Sequence, residues 1–341
     1  MPLERLKDFP RASLWPDPTP LESQHNLASA LGVHSFHIKR DDCNGLAFGG
    51  NKVRQMEYYL GDALAKGADA LLITGAVQSN FVRTAAAACA KCRVECHVQL
   101  ENRVAKKSQN YTQSGNVLLD HLLGATVYSF PKGEDEEGAD RNLEAIAENL
   151  RDQGKTPYVV HLHPAHPPLG ALGYVDAAVE LVKQLETLAE QPDVIFVPSG
   201  SGNTHGGLLY GLRAMGCDIP VEGVCVRRSA EQQKPRITER LNQIAELLEE
   251  SSVAVATDVS LTDSFLAPGY GVAGPETKMA ISLLARQEGL ILDPVYTGKA
   301  MAAAIAWGRQ HTDSRILFVH TGGGPSIFAY DEDMMNAAKQ Y

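Results

Sequence analysis

Long apolar stretches, a disulfide-type cysteine pattern and a basic patch are all missing from this sequence, and each absence removes a class of function. No run of about 18 apolar residues occurs, so no membrane-spanning helix is expected. The opening Met1-Pro2-Leu3-Glu4-Arg5 carries no apolar segment of the secretory type, and no export signal is expected. Only six cysteines, unevenly spaced, occur in 341 residues, which fits reduced thiols in a cytoplasm better than a disulfide framework. Basic residues number 31 against 41 acidic ones, for a net charge of −10, and no local Lys/Arg cluster interrupts this, so nucleic acid is not an expected partner. There is no internal repeat and no low-complexity tract. What is left is an ordinary globular composition, 44% hydrophobic with 30 glycines, long enough for two domains of roughly 150 residues each.

Short β-type runs alternate with longer helical ones. Strands are predicted at 35–39, 70–74, 95–100, 126–130, 158–161, 194–198, 221–226, 290–292 and 316–320. Helices are predicted at 52–66, 80–91, 114–123, 140–153, 174–189, 204–215, 234–248, 275–287 and 298–308. Continuous apolar strands such as Val194-Ile195-Phe196-Val197 indicate parallel sheet covered on both faces, so the fold class is α/β and doubly wound. The run KGEDEEGAD at 132–140 reads as a solvated turn before a helix. The proline-broken HLHPAHPP at 161–168 excludes both helix and strand and marks a crossing between domains.

Five loops carry chemistry. Gly49-Gly50-Asn51-Lys52 lets backbone approach a ligand closely and puts a lysine on the first turn of a helix, where its amine could attack an aldehyde; a surface lysine after a glycine turn is the plain alternative. Gly75-Ala76-Val77-Gln78-Ser79-Asn80 offers N–H and hydroxyl groups to a carboxylate, or simply caps a helix. Ser199-Gly200-Ser201-Gly202-Asn203-Thr204-His205-Gly206-Gly207 follows a strand and opens a helix as an anion cradle does; it lacks the Walker pattern, and one phosphate fits it better than a pyrophosphate. Ala267-Pro268-Gly269-Tyr270-Gly271, together with Asp293-Pro294-Val295-Tyr296-Thr297-Gly298-Lys299, supplies two loop tyrosines that could stack on a ring, transfer protons or only pack. His320-Thr321-Gly322-Gly323-Gly324-Pro325 places a threonine hydroxyl at the carboxyl end of a strand, where open α/β sheets bind ligands.

No metal site is expected. Cys89-x-x-Cys92 with Cys96 has no second pair and falls on a helix, so these read as core thiols. His161, His163 and His166 are placed loosely at a strand end, and no carboxylate is expected near them.

Taken in this order, the segments KRDDCNGLAFGGNK, GAVQSN, GNTHGG, APGYG, LDPVYTGKAM and HTGGGPS resemble those of fold-type II (tryptophan synthase β-like) pyridoxal-phosphate (PLP) enzymes, within the branch of 1-aminocyclopropane-1-carboxylate (ACC) deaminase and D-cysteine desulfhydrase. The likeness runs from Phe9-Pro10 to Phe328-Ala329-Tyr330. It implies PLP as cofactor, a small amino acid as substrate, and a homodimer. It implies a large domain of residues 1–52 and 164–341 around a small one of 53–163.

The resemblance also implies roles. Lys52 carries the cofactor, and Asn51 bonds the ring hydroxyl. Gly200, Ser201, Gly202, Asn203 and Thr204 hold the phosphate. Gln78, Ser79 and Asn80 receive the substrate carboxylate, Tyr296 lies against the pyridine ring, Tyr270 sits near the substrate amine, and Lys52, Tyr270 or Ser79 takes the α-proton. ACC deaminases read D-P-V-Y-E-G-K and H-L-G-G where this chain has Thr297 and Thr321. A neutral hydroxyl near the pyridine nitrogen leaves a shallower electron sink, which suits loss of a good β-leaving group better than opening of a strained ring. The implied reaction is β-elimination from D-cysteine to pyruvate, sulfide and ammonia, with L-cysteate sulfo-lyase and ACC deaminase as alternatives. Two departures mark the substrate side: Phe81 after Q-S-N, and His161-Leu162-His163-Pro164-Ala165 where relatives carry a Gly/Ser-rich segment, so that His163 becomes a candidate anion contact. A PLP carrier without turnover has no use for proton-transfer groups such as Ser79, Tyr270 and Tyr296. A nicotinamide enzyme needs a strand-ending acid about 20 residues past the phosphate loop, which neither Asp218 nor Glu222 provides.

Overall fold

The computed structural model describes residues 3–161, 166–251 and 253–340. Ten strands form two sheets: β1 (Leu21–Ser23), β2 (Ser35–Lys39), β3 (Ala70–Ala76), β4 (Glu95–Glu101), β5 (Thr126–Phe130), β6 (Pro157–Val160), β7 (Val194–Ser199), β8 (Val221–Cys225), β9 (Ser260–Thr262) and β10 (Arg315–Val319). Twelve α-helices are interleaved among the described residues. The first six are α1 (His25–Leu31), α2 (Asn51–Ala65), α3 (Asn80–Cys92), α4 (Gln109–Gln113), α5 (Asn116–Leu122) and α6 (Glu136–Asp152). The rest are α7 (Leu169–Leu185), α8 (Asn203–Ala214), α9 (Ala230–Leu248), α10 (Pro275–Glu288), α11 (Thr297–Gln310) and α12 (Asp331–Gln340).

The larger sheet runs β1-β2-β10-β7-β8-β9 and the smaller β5-β4-β3-β6. Every pairing is parallel except β1 on β2. β3 and β7 are buried along their whole length, as strands with helices on both faces must be. The doubly wound α/β class read from the apolar runs is the one observed.

Helix α7 packs between α2 and α8 because small residues let the backbones meet. A Cβ on Gly173 would fall 2.1 Å from the Arg54 carbonyl of α2, and one on Gly207 of α8 would fall 2.3 Å from the Ala171 carbonyl of α7. These contacts leave no room to shift, since the obstacle on each side is main chain.

Several expectations are corrected. Residues 290–292 form no strand: Ile291 is half exposed, Leu292 alone is fully buried, and the Ile291 carbonyl bonds His320 Nε2 at 3.0 Å instead of a neighbouring strand. The helix predicted at 114–123 is α5, which starts only at Asn116 because Gly115 takes φ 59° where a Cβ would meet Gln78 Oε1 at 2.7 Å; the short α4 before it was not predicted. Helix α6 starts at Glu136, inside the acidic run read as a solvated turn. Strands β1 and β9, three residues each and without an apolar run, were not predicted, nor were α1 and α12. All six cysteines are free thiols, with Cys89 and Cys96 in the core.

Gly173→Ala is expected to lower stability by about 2 kcal/mol, because overpacking against main chain outweighs the helix propensity gained. A thermal melt several degrees below wild type would show it; a higher melting temperature would contradict the packing described.

Candidate functional site

A cleft opens where loops leave the carboxyl ends of β2, β3, β7 and β10, and both sheets contribute to its walls. Lys52, in the first turn of α2, projects into it. The approach of the two loops beneath Lys52 demands glycine: Gly50 sits at φ 113°, and a Cβ there would lie 2.8 Å from the Thr321 carbonyl. That carbonyl accepts the Asn51 N–H at 3.1 Å, so the 49–52 turn is tied to the loop after β10.

Burial without a counter-charge brings the Lys52 ammonium down to about 8. Its Nζ lies 4.9 Å over the Phe81 ring and 3.4 Å from Gln55 Oε1, so no carboxylate holds the proton on it. Burial brings Lys299 to about 8 as well, but its ammonium donates to the Leu266 and Gly269 carbonyls at 2.6 and 2.7 Å. Lys299 thus anchors the loop that carries Tyr270 and does not line the cleft.

Opposite Lys52, Gly200, Ser201 and Gly202 lead into α8, and its first-turn Thr204 and His205 line the same cleft. Main-chain N–H groups left over at the start of a 12-residue helix are an anion site. The loop is held from outside: Gln233 Nε2 donates to Ser199 Oγ and the Gly200 carbonyl, and Arg236 Nε to the Ser201 carbonyl, all within 3.0 Å. Burial drives the His205 imidazole down to about 4, so it is neutral there, and its Nε2 has no partner. Thr204 Oγ1 accepts from Asn51 Nδ2 at 2.7 Å and from Gln55 Nε2 at 2.9 Å. Asn203 turns away from the cleft, its amide nitrogen 3.5 Å from Tyr59 Oη.

Tyr270 and Tyr296 share a hydrogen bond of 2.7 Å between their hydroxyls, with ring planes at 75°. Burial, then the neighbouring Tyr270, pushes the Tyr296 phenol well above its usual range. Tyr296 is placed by the fully buried Asp293, whose carboxylate accepts the N–H groups of Val295, Tyr296 and Thr297 at 2.7–2.9 Å. Asp293 is a positioning residue that reading the motif for ring contacts missed; the signal was an Asp-Pro just before a helix. Thr297 Oγ1 donates to Asp293 Oδ1 at 2.6 Å and accepts the Asp293 N–H, so it is engaged in the cap and does not line the cleft, whereas Thr321 does.

Ser79 and Asn80 line the cleft at the start of α3, where Ser79 Oγ also accepts the Val82 N–H at 3.2 Å. Gln78 is not part of the wall: its amide bonds the Tyr111 and Ser114 carbonyls and the Asn116 N–H, and so holds the break between α4 and α5. His163 lies outside the described residues.

Sequence reasoning missed the guanidinium groups at the cleft mouth, because they are brought together from separate segments. Arg227 and Arg228 both bond Glu136 Oε1 at 2.7 Å, and Arg236 stands 3.8 Å from its other oxygen. Burial, then Arg228, lowers Arg236 to about 10. Arg103 is matched separately by the buried Glu101, with two bonds of 2.8 Å. The expectation of no carboxylate near the histidines is also corrected: α6 brings Asp140 and Glu144 alongside His161.

A buried amine without a counter-charge lines the same cleft as an anion cradle, a tyrosine pair and the N–H donors at the start of α3, an arrangement that fits an aldehyde cofactor carrying one phosphate. The sequence profile of the family described as "Pyridoxal-phosphate dependent enzyme" matches residues 12–322. The chain belongs to the pyridoxal-phosphate dependent enzymes. Among curated relatives of this family, the "D-cysteine desulfhydrase" of Salmonella typhi is 42% identical over 333 residues, covering 97% of this chain and 99% of that one. A protein of the same name from Salmonella newport (strain SL254) matches equally. Among solved structures, one described as an "ACC deaminase homologue" superposes with a TM-score of 0.87 at 34% identity, covering 98% of each chain. The diaminopropionate ammonia lyase of Escherichia coli shares the fold, with a TM-score of 0.63 at 18% identity over 94% of this chain and 87% of that one.

Only a neutral amine attacks an aldehyde, so capture of PLP by the apo protein is expected to quicken as pH rises through about 8. Stopped-flow absorbance after mixing with PLP measures it; a midpoint near the ordinary lysine value of 10.5 would refute the desolvated site.

Proposed function

We propose that this chain is a PLP-dependent lyase that eliminates the β-substituent of D-cysteine, releasing sulfide, pyruvate and ammonia. The observation that carries this is the near-full-length likeness to D-cysteine desulfhydrases together with a cleft in which Lys52 is the buried amine free of a counter-charge.

PLP supplies an electron sink for the charge left at the α-carbon when its proton departs. The protein does the rest. Ser79, Asn80 and the N–H groups at the start of α3 bind the substrate carboxylate, favoured by the helix dipole. The 200–204 loop and the start of α8 fix the phosphate. Lys52 Nζ, unprotonated in a useful fraction near neutral pH, takes the α-proton. The Tyr270–Tyr296 hydroxyl pair, 2.7 Å apart, delivers a proton to the departing sulfur. Thr321, which lines the cleft, would offer the pyridine nitrogen a neutral hydroxyl, and Thr297 acts through Asp293. The absence of a glutamate at 297 also supports the desulfhydrase reading over ACC deaminase.

The same reading divides the chain into residues 1–52 with 164–341 and 53–163, in keeping with the two sheets. It expects a homodimer in the cytoplasm, supported by the family resemblance and by six unpaired thiols. Among the described residues no helix is long and apolar enough to cross a membrane. One observation favours a second substrate: three arginines share Glu136 at the cleft mouth, an environment suited to the extra anionic group of L-cysteate.

Supplied with D-cysteine, the holoenzyme is expected to form pyruvate and sulfide in equal amounts, and Lys52→Ala to lose at least about 10³-fold in kcat. Pyruvate with sulfite from L-cysteate alone would favour the second substrate, and 2-oxobutyrate from ACC alone would overturn the reading of Thr297 and Thr321.

A further inference from the structure

Ahead of α2 the chain makes a turn that its own residues disfavour. Ala47, Phe48 and Gly49 take φ of 43°, 68° and 63°. Among the described residues, Ala47 and Phe48 are the one pair of consecutive non-glycine residues in the left-handed region. L side chains enter that region at a cost that surrounding structure must offset. Packing at the tip of the turn does little of this, since Phe48 is 66% exposed. The turn leads through Gly50 and Asn51 to Lys52, so its conformation decides where the amine starts from.

The offsetting contact comes from α3. Arg83, in the first turn of that helix, is fully buried. Its Nη1 donates to the Ala47 carbonyl, and Nη1 and Nη2 both donate to the Gly49 carbonyl at 3.2 Å. A planar guanidinium thus grips two carbonyls of the turn in a fixed geometry that a single ammonium does not reproduce. The Arg83 main-chain N–H donates to the Ser79 carbonyl at 3.2 Å, and Phe81, two residues before it, carries the ring under Lys52 Nζ. Burial brings Arg83 down to about 10, so it stays charged at neutral pH, with Asp120 of α5 opposing the shift. Burial in turn pushes the Asp120 carboxyl up to about 8 even with Arg83 nearby, so removal of the guanidinium leaves a carboxyl that takes up a proton rather than a stranded charge.

We infer that Arg83 is a positioning residue for Lys52: it clamps the left-handed 47–49 turn and, through α3, fixes the amine relative to the helix start where the substrate carboxylate binds. The inference rests on the reading of Lys52 as the amine that holds the cofactor. Arg83 does not line the cleft, so it acts through the backbone it holds. Lys52 needs that hold twice, once to attack the aldehyde and again, as a free amine, to stay within reach of the α-proton. A misplacement of about 1 Å is enough to cost about 100-fold in rate. Ser79 and Asn80 keep their own anchors without the clamp: Ser79 Oγ accepts the Val82 N–H at 3.2 Å, and Asn80 Oδ1 accepts from Asn116 Nδ2 at 2.8 Å. Loss of Arg83 therefore moves the lysine and leaves the carboxylate donors in place.

The test compares wild type with Arg83→Met, which removes the donors at similar volume, and Arg83→Lys, which keeps the buried charge. Each apo protein is mixed with PLP at one fixed pH and capture is followed by stopped-flow absorbance; the holoenzymes are then assayed with D-cysteine. Arg83→Met is expected to capture PLP at least about tenfold more slowly and to lose a similar factor in kcat, with KM within about twofold. Arg83→Lys is expected to fall between the two, at least about threefold below wild type in capture. Circular dichroism and a cooperative melt check that each variant is folded, and Arg83→Lys supplies the readout if the methionine variant is not. Wild-type capture and kcat in either folded variant, or a raised KM with kcat unchanged, would overturn the clamp. Borohydride fixing PLP elsewhere than on Lys52 in the wild type would refute the reading beneath it, whereas unchanged capture in Arg83→Met refutes the clamp alone. Capture needs no substrate, so a wild type that leaves D-cysteine untouched would refute the reaction and leave the comparison of capture rates standing.

Discussion

A buried ion network decides where Lys52 can be. Arg54, two residues further along α2, bonds both oxygens of Asp41 at 3.0 Å and both oxygens of Glu180 on α7 at 2.9 Å. Thr19 and Tyr174 donate to Asp41, and Lys39 from β2 pairs with Glu180. Burial alone would raise the Asp41 carboxyl; Arg54, its own hydrogen bonds and Lys39 bring it below the usual range. Such a network adds little net stability, yet deleting one partner strands a buried charge at a cost of about 3–5 kcal/mol. It therefore acts as a register lock. It sets the start of α2 against β2 and α7, and the Gly50–Thr321 contact then leaves Lys52 one direction in which to point.

The remaining site follows from topology. Parallel strands send their loops to one edge, so the turns after β2, β3, β7 and β10 meet although they are far apart in sequence. Two of these turns start helices α3 and α8, whose free N–H groups make the cleft attractive to a carboxylate and a phosphate. Lys52 and Lys299 show how two desolvated lysines can differ. Desolvation lowers both alike, but Lys299 has two carbonyl acceptors for its ammonium, whereas Lys52 has a long contact to Gln55 and an aromatic face.

The chain's glycine loops and apolar strands made the fold class and most of the cleft legible, because each is a local signal with a local cause. Lys52, Ser79 and Thr204 could be singled out because their loops sit at the ends of strands that the periodicity marks, and Tyr270 and Tyr296 because their loops set an aromatic ring among Gly and Pro. Features built from distant residues were not legible. The charge run around Glu136 looked solvated, since nothing nearby in sequence announces Arg227, Arg228 and Arg236. Asp140 and Glu144 lie some twenty residues before His161 and meet it only because α6 packs beside β6. Gln78 and Thr297 had the right chemistry for a ligand, but neighbouring main chain and Asp293 claimed their polar atoms first. The edge strands β1 and β9 were invisible because three-residue strands carry no period to read.

The central claim, that Lys52 is the amine that holds the cofactor, is tested most directly by reducing the holoenzyme with borohydride and mapping the modified peptide by mass spectrometry. A phosphopyridoxyl group on Lys52, with Lys299 unmodified, is the result predicted. A modified Lys299, or a reduced protein with Lys52 untouched, would contradict it.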